Sequence, residues 1–440
     1  MISQQKQKVL IITYYWPPSG GAGVQRWLKF VKYLRDFGWE PVIYTPENPE
    51  YPVADFSLEK DIPKNLEILR TKVWEPYDLY KKFVGLKKAD KINTAFLSEK
   101  KKTNLTEKIA VWIRGNFFVP DARKFWIKPS VRFLTAYLSK NPVDAIISTG
   151  PPHSMHLIAF DLHKKTGIPW VADFRDPWTG IDFYHELHLT PWADNLHKKL
   201  EKKVLKNADR MIVISEGMKK HFNEIVKRDY EVITNGFDEE DYPNRPIEPD
   251  KKFSIAHVGS LVRSRNPEVL WAAINDLTRN LPQFAENLEI KLVGKVDFFV
   301  MESIRKHGLE KYLRIIPYLD HDKVVDEQHK SHLLLLLINN TPNADMILTG
   351  KLFEYLSSRR PILCIGPENG DAAIIIRETG SGKVAGFEDV QKIKEIISTQ
   401  FIQKKGQENI HLQNINHFSR KQLTAKLSEI LKNLTATIHK

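Results

Sequence analysis

Short apolar segments alternate with amphipathic segments along most of the chain, and this alternation restricts the fold more than any other feature of the sequence. The first apolar segment, residues 9–13, leads through a turn rich in Pro and Gly into residues 24–34, where apolar side chains recur at helical spacing. Another apolar segment follows at residues 41–44. Strands that alternate with helices in this way indicate a parallel sheet with helices on both faces.

The alternation is interrupted once. Residues 236–252 are rich in Pro, Asp and Glu and poor in aliphatic side chains, as linkers are, and a second alternating series starts at residue 253. A chain of 440 residues is long enough for two or three domains. We therefore predict an N-terminal α/β domain at 1–235, the linker at 236–252, a C-terminal α/β domain at 253–415 and a last helical segment at 416–440 that packs back towards the N-terminal domain.

Basic residues are concentrated in one part of the chain. The net charge is +12, and residues 60–140 alone hold 19 Lys or Arg against 8 Asp or Glu. Between residues 106 and 138 aromatic and basic side chains are interleaved, which is typical of a helix on an anionic membrane surface. Two alternatives stay open: the aromatic residues pack in a core, or the charge is an ordinary solvated surface. No known RNA-binding motif accompanies the segment, so we expect no nucleic-acid partner.

The rest of the composition narrows the class of protein. The single cysteine, Cys364, excludes a disulfide framework and a zinc site of several cysteines. No segment reaches the length of about 18 apolar residues that spans a membrane, and the first apolar segment is too short for a secretory signal, so we expect a cytoplasmic protein. The D-x-D sequence from Asp320 to Asp322 precedes an amphipathic segment, so we expect Asp322 to cap a helix rather than to bind a metal.

Candidate site residues follow the strands of the N-terminal half. Gly21 and Gly23 lie in the turn after the first strand, where backbone N–H groups at the start of a helix can approach an anion or a sugar. The G-x-G-x-x-G and GK[ST] patterns are absent, so neither a dinucleotide site nor a P-loop is supported. A tight turn without a ligand is the alternative interpretation.

Two further strand ends in this half carry polar side chains. His153 follows one strand and is placed to bond a substrate hydroxyl or phosphate, although a capping or core histidine would fit equally well. Asp173, Arg175 and Asp176 crowd the end of the next strand, with Trp178 close behind. They predict either a polar acceptor pocket with Trp178 as a platform for a sugar or lipid, or an internal clamp between Arg175 and a carboxylate.

The C-terminal half offers cations at its strand ends. Gly259 follows a strand and is succeeded by Arg263 and Arg265 ahead of a helix, an arrangement that suits a diphosphate. Further along, Lys351 and Glu354 lie three residues apart near the start of a helix. They predict a cation for phosphate and a carboxylate for the two hydroxyls of a ribose, with a surface ion pair between them as the alternative.

Together these segments resemble a known family, the retaining, nucleotide-sugar-dependent glycosyltransferases of family 4. That resemblance implies the GT-B fold, in which two Rossmann-like parallel-sheet domains face each other across a cleft. It spans almost the whole chain and is closest to bacterial enzymes that build surface polysaccharides. The motifs that carry it are the glycine-rich first turn, GPPHS, DFRDPW, ADRMIVISEGMKKHF, ITNGFD, HVGS and, most specifically, TGKLFEYLSSRRPIL with GDAAIIIRETGSG.

The resemblance also implies roles for individual residues. The implied nucleotide-sugar site consists of Gly21, Gly23, Gly259, Arg263, Arg265, Lys351, Leu352 and Glu354. Arg265, Lys351 and His153 are the implied catalytic residues, because leaving-group charge must be stabilised when no protein nucleophile is used. Where the family often has a glutamate that contacts the donor sugar, this chain has Met346 beside Asp345.

The expected activity is sugar transfer, with retention of configuration, from a nucleoside diphosphate sugar to a glycan or lipid-linked acceptor. We expect UDP as the nucleotide, with GDP as the alternative, and neither a cofactor nor a metal. Docking on the cytoplasmic face of a membrane would involve residues 60–140. Two other functions stay open: a nucleotide-sugar 2-epimerase on the same fold, and a non-catalytic protein that binds nucleotide sugars or acts as a scaffold.

Overall fold

Two compact units make up the chain. The computed structural model describes residues 6–50, 54–75, 105–242, 245–403 and 412–436. Of these, unit 1 contains residues 6–50, 54–75, 105–234 and 420–436. Unit 2 contains residues 235–242, 245–403 and 412–419.

Unit 1 is built on a seven-stranded sheet whose neighbouring strands are all parallel, in the order β3-β2-β1-β4-β5-β6-β7. Its strands are Gln7–Ile12 (β1), Trp39–Pro46 (β2), Glu67–Thr71 (β3), Ala145–Gly150 (β4), Trp170–Phe174 (β5), Arg210–Val213 (β6) and Glu231–Val232 (β7). The helices up to the end of β7 are Ala22–Leu34 (α1), Leu105–Phe117 (α2), Ile127–Leu138 (α3), Ser154–Thr166 (α4), Pro191–Asn207 (α5) and Glu216–Ile225 (α6).

Unit 2 has a six-stranded parallel sheet in the order β10-β9-β8-β11-β12-β13. Its strands are Phe253–Val258 (β8), Leu288–Val293 (β9), Leu313–Ile316 (β10), Leu333–Leu337 (β11), Ile362–Ile365 (β12) and Gly382–Ala385 (β13). Its helices are Glu268–Asn280 (α7), Pro282–Asn287 (α8), Phe298–Lys306 (α9), His321–Lys330 (α10), Gly350–Ser358 (α11), Asp371–Thr379 (α12) and Val390–Gln403 (α13).

Side chains of each central strand supply two separate cores, one on each face of the sheet. In β1, Leu10 and Ile12 join one core of unit 1, whereas Val9 and Ile11 join the other. Successive strand residues point to opposite faces, so a strand that is apolar throughout requires cover on both. The two sheets confirm the predicted α/β class with two Rossmann-like parallel-sheet domains.

The last helix, Arg420–Ala436 (α14), belongs to unit 1 although it follows unit 2 in the chain. Its apolar face, with Leu423, Leu427 and Leu431, is buried in the core that also holds Trp27 of α1. One face of the first sheet is therefore completed by residues from the far end of the sequence.

One predicted helix cap is wrong. Helix α10 begins at His321, and its N-cap is Asp320, whose backbone is extended at φ −63° and ψ 155°. Asp322 is the second residue of the helix and has helical backbone, so it cannot take the extended conformation that an N-cap needs.

Each sheet reverses its strand order at one point. The reversal lies between β1 and β4 in unit 1 and between β8 and β11 in unit 2. Loops diverge at such a point beyond the carboxyl ends of the strands, which leaves room for a ligand.

Candidate active site

In unit 2 the site is centred on Lys351, in the first turn of α11. Gly259, directly after β8, has φ 103°, in the left-handed region, and a Cβ there would lie 2.7 Å from Lys351 Cε. A side chain at position 259 would therefore displace the lysine. The missing side chain lets the Lys351 stem lie against the turn that follows β8.

The side chain of Lys351 is half-buried and its amino group lies next to a histidine ring. Its Nζ lies 3.3 Å from His257 Nε2, and His257 Nδ1 donates to the Leu335 carbonyl at 3.2 Å, which leaves Nε2 as the acceptor. Burial and, to a smaller extent, the nearby Arg265 charge together lower the pKa of Lys351 to about 7, while the Glu354 charge opposes the shift. An anion at this point would restore the charge of the lysine.

The two arginines predicted to hold a diphosphate point to different neighbours. Both belong to the short 3₁₀ helix Arg263–Arg265 that follows β8. Arg265 donates from Nε to Asn339 Oδ1 at 2.5 Å, next to Lys351, whereas the exposed Arg263 guanidinium lies 4.2 Å from the centre of the Phe299 ring. The structure thus brings Arg265 and Lys351 together and places Arg263 against α9.

The start of α11 has a buried hydroxyl that bonds to nothing described. Thr349 is the N-cap of this helix, yet its side chain makes no capping hydrogen bond, and its Oγ1 is buried without a partner among the described residues. Free N–H groups at a helix N-terminus and an uncommitted hydroxyl both favour an anion. They lie beside Lys351, which adds the positive charge.

Glu354 lies one turn beyond Lys351 on the same helix. No ion pair joins the two side chains in the described part of the chain, so the alternative of a surface ion pair is wrong. Glu354 instead accepts a hydrogen bond from Gln328 Nε2 at 3.3 Å. Leu352, between them, is fully buried in the core of unit 2, so its side chain has no free surface for a ligand.

Asp345 and Met346 lie in the 3₁₀ turn Ala344–Met346, which follows β11. Asp345 is exposed and Met346 half-buried. The Asp345 carbonyl oxygen would lie 3.1 Å from a Cβ on Gly370, the N-cap of α12, so this turn packs closely against the start of that helix. Asp345 is the carboxylate that stands next to the methionine position.

In unit 1, Arg175 links three turns at the strand reversal by hydrogen bonds to backbone carbonyls. Its guanidinium donates to the backbone carbonyls of Gly23 at 2.8 Å and Gly150 at 3.3 Å, and also to that of Pro151. A Cβ on Gly23 would meet Arg175 Nη1 at 2.9 Å, whereas Gly21, with φ 93°, has open space around it. Arg175 is thus committed to backbone oxygens, and the predicted clamp to a carboxylate does not form through it.

The clamp forms through Arg26 of α1 instead. Asp173 is fully buried and accepts hydrogen bonds from Arg26 at 2.8 Å, Trp27 Nε1 at 2.7 Å and Thr149 Oγ1 at 2.8 Å. Burial raises the pKa of Asp173, but the Arg26 charge and these hydrogen bonds outweigh it and hold the pKa below the usual value. Asp173 is therefore an internal anchor, and the predicted acceptor pocket cannot include its side chain.

His153 and Trp178 cover each other. Their rings are stacked with centres 4.4 Å apart and planes 1° from parallel, and Trp178 is only 3% exposed. The indole N–H donates to His197 Nδ1 at 2.9 Å. Trp178 is consequently not an open platform for a sugar or lipid, which corrects that prediction.

Burial also keeps the histidines of this turn neutral. Desolvation lowers the pKa of His153 well below its ordinary value, with His156, His197 and Arg175 adding to the effect, and it lowers the pKa of His156 to about 3. The same desolvation raises the pKa of the half-buried Asp176, although Arg175 opposes the shift. His153 can therefore exchange hydrogen bonds with a ligand but carries no charge near neutral pH.

Several residues that shape these turns were not among the sequence-based candidates. Asn339 could have been found, because it directly follows the apolar segment that forms β11. His257 belongs to the HVGS motif, but nothing in the sequence indicates that it accepts a hydrogen bond from Lys351. Arg26 carries no signal at all, since a helical arginine is usually exposed.

Comparisons with known proteins bear on the fold of the chain. A model of the family described as Glycosyltransferase Family 4 matches residues 85–241, less than half of the chain. A search of curated protein sequences gave no match. Solved structures, by contrast, align over almost the whole length.

Three of these structures illustrate the likeness. A sucrose-phosphate synthase from Thermosynechococcus elongatus aligns with TM-score 0.58 at 12% identity, covering 99% of this chain and 98% of its own. The lipopolysaccharide outer core galactosyltransferase WaaB in its apo form gives 0.58 at 13%, covering 97% and 100%. The fold is that of GT-B proteins.

An enzyme of another class has the same fold. A putative UDP-N-acetylglucosamine 2-epimerase from Listeria monocytogenes aligns with TM-score 0.57 at 12% identity, covering 99% of this chain and 97% of its own. The fold by itself therefore does not distinguish sugar transfer from epimerisation.

Proposed function

We propose that this chain is a family 4 glycosyltransferase that transfers a sugar from a nucleoside diphosphate sugar to a glycan or lipid-linked acceptor. The observation that carries the proposal is the pairing of Lys351 and Arg265 at the strand reversal of unit 2. Lys351 Nζ lies against a neutral histidine nitrogen, Arg265 Nε donates to an amide oxygen, and the N-cap of α11 makes no side-chain capping bond. A diphosphate would meet two cations and a helix N-terminus at this place.

The donor would be held through its diphosphate, its ribose and its sugar. Lys351, Arg265 and the N–H groups at the start of α11 bind the diphosphate, and Glu354 accepts from the ribose hydroxyls. Gly259 keeps the turn after β8 close to the phosphates. Asp345 is the carboxylate available for the donor sugar, because Met346 cannot accept a hydrogen bond in the way that a glutamate does. UDP is the first nucleotide to test, and GDP the second.

The reaction would proceed with retention of configuration. The acceptor oxygen forms a bond to the anomeric carbon on the face from which the diphosphate leaves, and the bond from that carbon to the phosphate oxygen breaks. The proton of the acceptor hydroxyl passes to the departing phosphate oxygen, so no protein base is consumed. Lys351 and Arg265 stabilise the charge that grows on the leaving group, which is where catalysis by positioned cations is largest.

Unit 1 contributes a neutral turn. The N–H groups at the start of α1, beside Gly21 and Gly23, would bind a polar group of the acceptor. His153 would exchange a hydrogen bond with a sugar hydroxyl while remaining uncharged, in agreement with its lowered pKa.

A nucleotide-sugar 2-epimerase is the second candidate, favoured by the structural neighbour of that description. An epimerase needs groups that remove and return a proton at C2 of the sugar. The lowered pKa of His153 makes its imidazole a weak base, and Asp173 is bonded inside unit 1, so neither group is suited to that task. These observations favour transfer.

The test is a panel of UDP-, GDP- and dTDP-sugars, each incubated with and without acceptor glycans. Release of the nucleoside diphosphate coupled to a larger glycan, with the anomeric configuration read by NMR, is the expected result. Release of a free 2-epimer would establish the epimerase instead. Binding of a nucleotide with no turnover of any donor would leave a non-catalytic binding protein and reject the enzyme.

We also propose that unit 1 docks on the cytoplasmic face of an anionic membrane. An aromatic–basic patch, defined here as Trp74, Trp112, Phe117, Lys124 and Phe125, has four aromatic side chains that are 39–57% exposed. Trp74 and Phe125 meet edge to face at 4.9 Å, and Lys124 Nζ lies 5.3 Å from the Phe125 ring and bonds to the Phe117 carbonyl. Exposed aromatic rings with interleaved cations suit the headgroup region.

The patch belongs to the basic segment found in the sequence, of which residues 76–104 lie outside the described residues. Core packing accounts for Trp126 of the segment, which is fully buried and stacked on Tyr44 at 4.9 Å, and in part for Tyr137, which packs against the same core. No helix in the described ranges has the length and apolar character needed to cross a bilayer. Association would therefore be peripheral.

Sedimentation with vesicles tests the docking surface. We expect binding to vesicles that contain phosphatidylglycerol, weakened by salt because the attraction is partly electrostatic. Trp74→Ala with Phe125→Ala should lower the bound fraction several-fold. Phe298→Ala is the matched control, since Phe298 is a similarly exposed aromatic residue (46%) in unit 2. Equal sedimentation of the double variant and the control would reject the patch.

A further inference from the structure

Unit 2 contains a second basic region that the proposed function does not use. It is a cavity of about 370 Å³ at the carboxyl-terminal ends of α10 and α11. The described residues that line it are Tyr242, Arg245, Ile247, His329, Ser357, Ser358, Arg359 and Arg360. Three of these are arginines and none carries a carboxylate.

This cavity is separate from the candidate active site. Lys351 begins α11 and Ser358 ends it, and a helix of nine residues is about 13 Å long. The cavity therefore lies at the amino ends of the strands β11 and β12, and the candidate active site lies at their carboxyl ends.

Arg359 is the first reason to regard the cavity as a binding site. It follows α11 with φ 54° and ψ 25°, the left-handed conformation in which helices commonly end on glycine. A residue with a Cβ is strained there, and the Arg359 side chain is exposed to solvent where it lines the cavity. Its guanidinium has no hydrogen-bond or ion-pair partner among the described residues.

Arg360 is the second reason. Its Nε donates to the His329 carbonyl at 2.8 Å, which fixes the plane of the guanidinium, and neither Nη atom has an acceptor within the described ranges. Burial lowers the pKa of Arg360, and the nearby Asp250 charge opposes the shift. The Nη groups can therefore still donate to a ligand.

Arg245 and the uncharged lining define the rest of the cavity. Arg245 already pairs with Asp326, so it adds little uncompensated charge. The hydroxyls of Ser357 and Ser358 donate to the carbonyls of Glu354 and Tyr355 within their own helix, at 2.7 and 2.8 Å. Tyr242 and Ile247 offer apolar surface beside the arginines.

We propose that this cavity binds a small molecule that carries a phosphate group, which Arg359 and Arg360 hold by charge-assisted hydrogen bonds. Guanidinium groups pair with phosphate oxygens through two parallel hydrogen bonds, which fixes both position and charge. The volume suits a phosphorylated molecule of modest size and is too small for a polymer. The ligand is free in solution rather than part of a lipid surface, because the cationic groups line a concave site.

The test is calorimetric titration of the full chain with inorganic pyrophosphate in a Lys351→Met background, which silences the candidate active site. We expect one binding event to remain and Arg359→Gly to weaken it at least about tenfold, because two charge-assisted hydrogen bonds are lost. Arg279→Ala, which removes an exposed arginine from the end of α7, should change the affinity less than about twofold.

Arg359→Gly also separates a binding role from a structural one. Glycine accepts the left-handed conformation, so the thermal midpoint should not fall while the pyrophosphate affinity does. A lower midpoint with unchanged affinity would show that Arg359 serves only the helix end and would overturn the proposal. So would an equal loss of affinity in Arg279→Ala, absence of binding in the Lys351→Met background, or binding only to vesicles that contain phosphatidic acid.

Discussion

The two strand reversals share a topology but differ in how their polar groups are used. At the reversal of unit 1, Asp173 is satisfied by Arg26, Trp27 and Thr149, and Arg175 by backbone carbonyls. In unit 2, the amino group of Lys351 contacts a neutral histidine, and Thr349 Oγ1 has no hydrogen-bond partner among the described residues. One turn is held by internal partners, whereas the other contains the lysine that the proposed function assigns to the diphosphate.

The largest expected effect comes from breaking the closed network of unit 1. Asp173→Asn removes the charge that balances the buried Arg26, and an unpaired buried charge costs about 3–5 kcal/mol of unfolding free energy. Urea denaturation followed by circular dichroism measures this loss. Asp36→Asn, at an exposed carboxylate on the same unit, should change the free energy by less than about 0.5 kcal/mol. Similar losses in both variants would contradict the anchoring role.

Lys351→Met in unit 2 should lower the activity and raise the stability, whereas Asp173→Asn in unit 1 lowers the stability. We expect kcat/KM for the donor to fall about 100-fold, because one preorganised cation at the leaving group is removed. The free energy of unfolding should rise, since the pKa of Lys351 is lowered in the folded state and its charge therefore destabilises that state. Steady-state kinetics and thermal unfolding give the two values.

Lys383→Met is the control for that variant, because Lys383 is an exposed lysine on β13. It should alter neither quantity appreciably. If Lys351→Met lost stability as well as activity, Lys351 would be part of the scaffold, and the contrast between the two reversals would not hold.

Glu354→Ala tests whether the strand reversal of unit 2 binds the ribose of a nucleotide. We expect about tenfold weaker nucleoside diphosphate binding, since a carboxylate that accepts from ribose hydroxyls is lost. Calorimetry with UDP and with a 2′,3′-dideoxy analogue provides the check. The wild type should prefer UDP, and the variant should bind both alike. A preference retained by the variant would reject the ribose role.

The smallest expected effect is a dependence on pH. Because the pKa of Lys351 is lowered to about 7, its ammonium is lost as the pH rises, and kcat/KM for the donor should fall about fivefold between pH 7 and pH 8. His153 and His156, whose pKa values lie below the ordinary range, add no titration there. Lys351→Arg should flatten the profile, since arginine stays charged. An unaltered fall in that variant would assign the titration to another group.

Much of the fold could be read from the sequence because each element leaves a local pattern. The apolar segments at residues 9–13 and 333–337 are short and continuous, as buried parallel strands are, and both form central strands. Lys351 and Arg265 could be found as cations near strand ends. The partners of Asp173 could not, because Arg26 and Thr149 lie 147 and 24 residues away and only the fold brings them together.

Local signals also misled at specific points. Asp322 resembles a helix cap, yet the helix starts one residue before it, at His321, because Asp320 takes the extended backbone. Trp178 stands among polar residues in the sequence, but His153 covers its ring. Capping and stacking depend on one or two torsion angles, which neighbouring residues in the sequence do not determine.

Placing α14 in unit 1 has a consequence for synthesis on the ribosome. Leu423, Leu427 and Leu431 complete a core whose other side chains are made hundreds of residues earlier. At about 5–20 residues per second, the 185 residues from Asn235 to Ser419 take about 10–40 s to translate. During that interval α14 does not yet cover the apolar surface around Trp27, so the first unit cannot complete this core before most of the second unit has been translated.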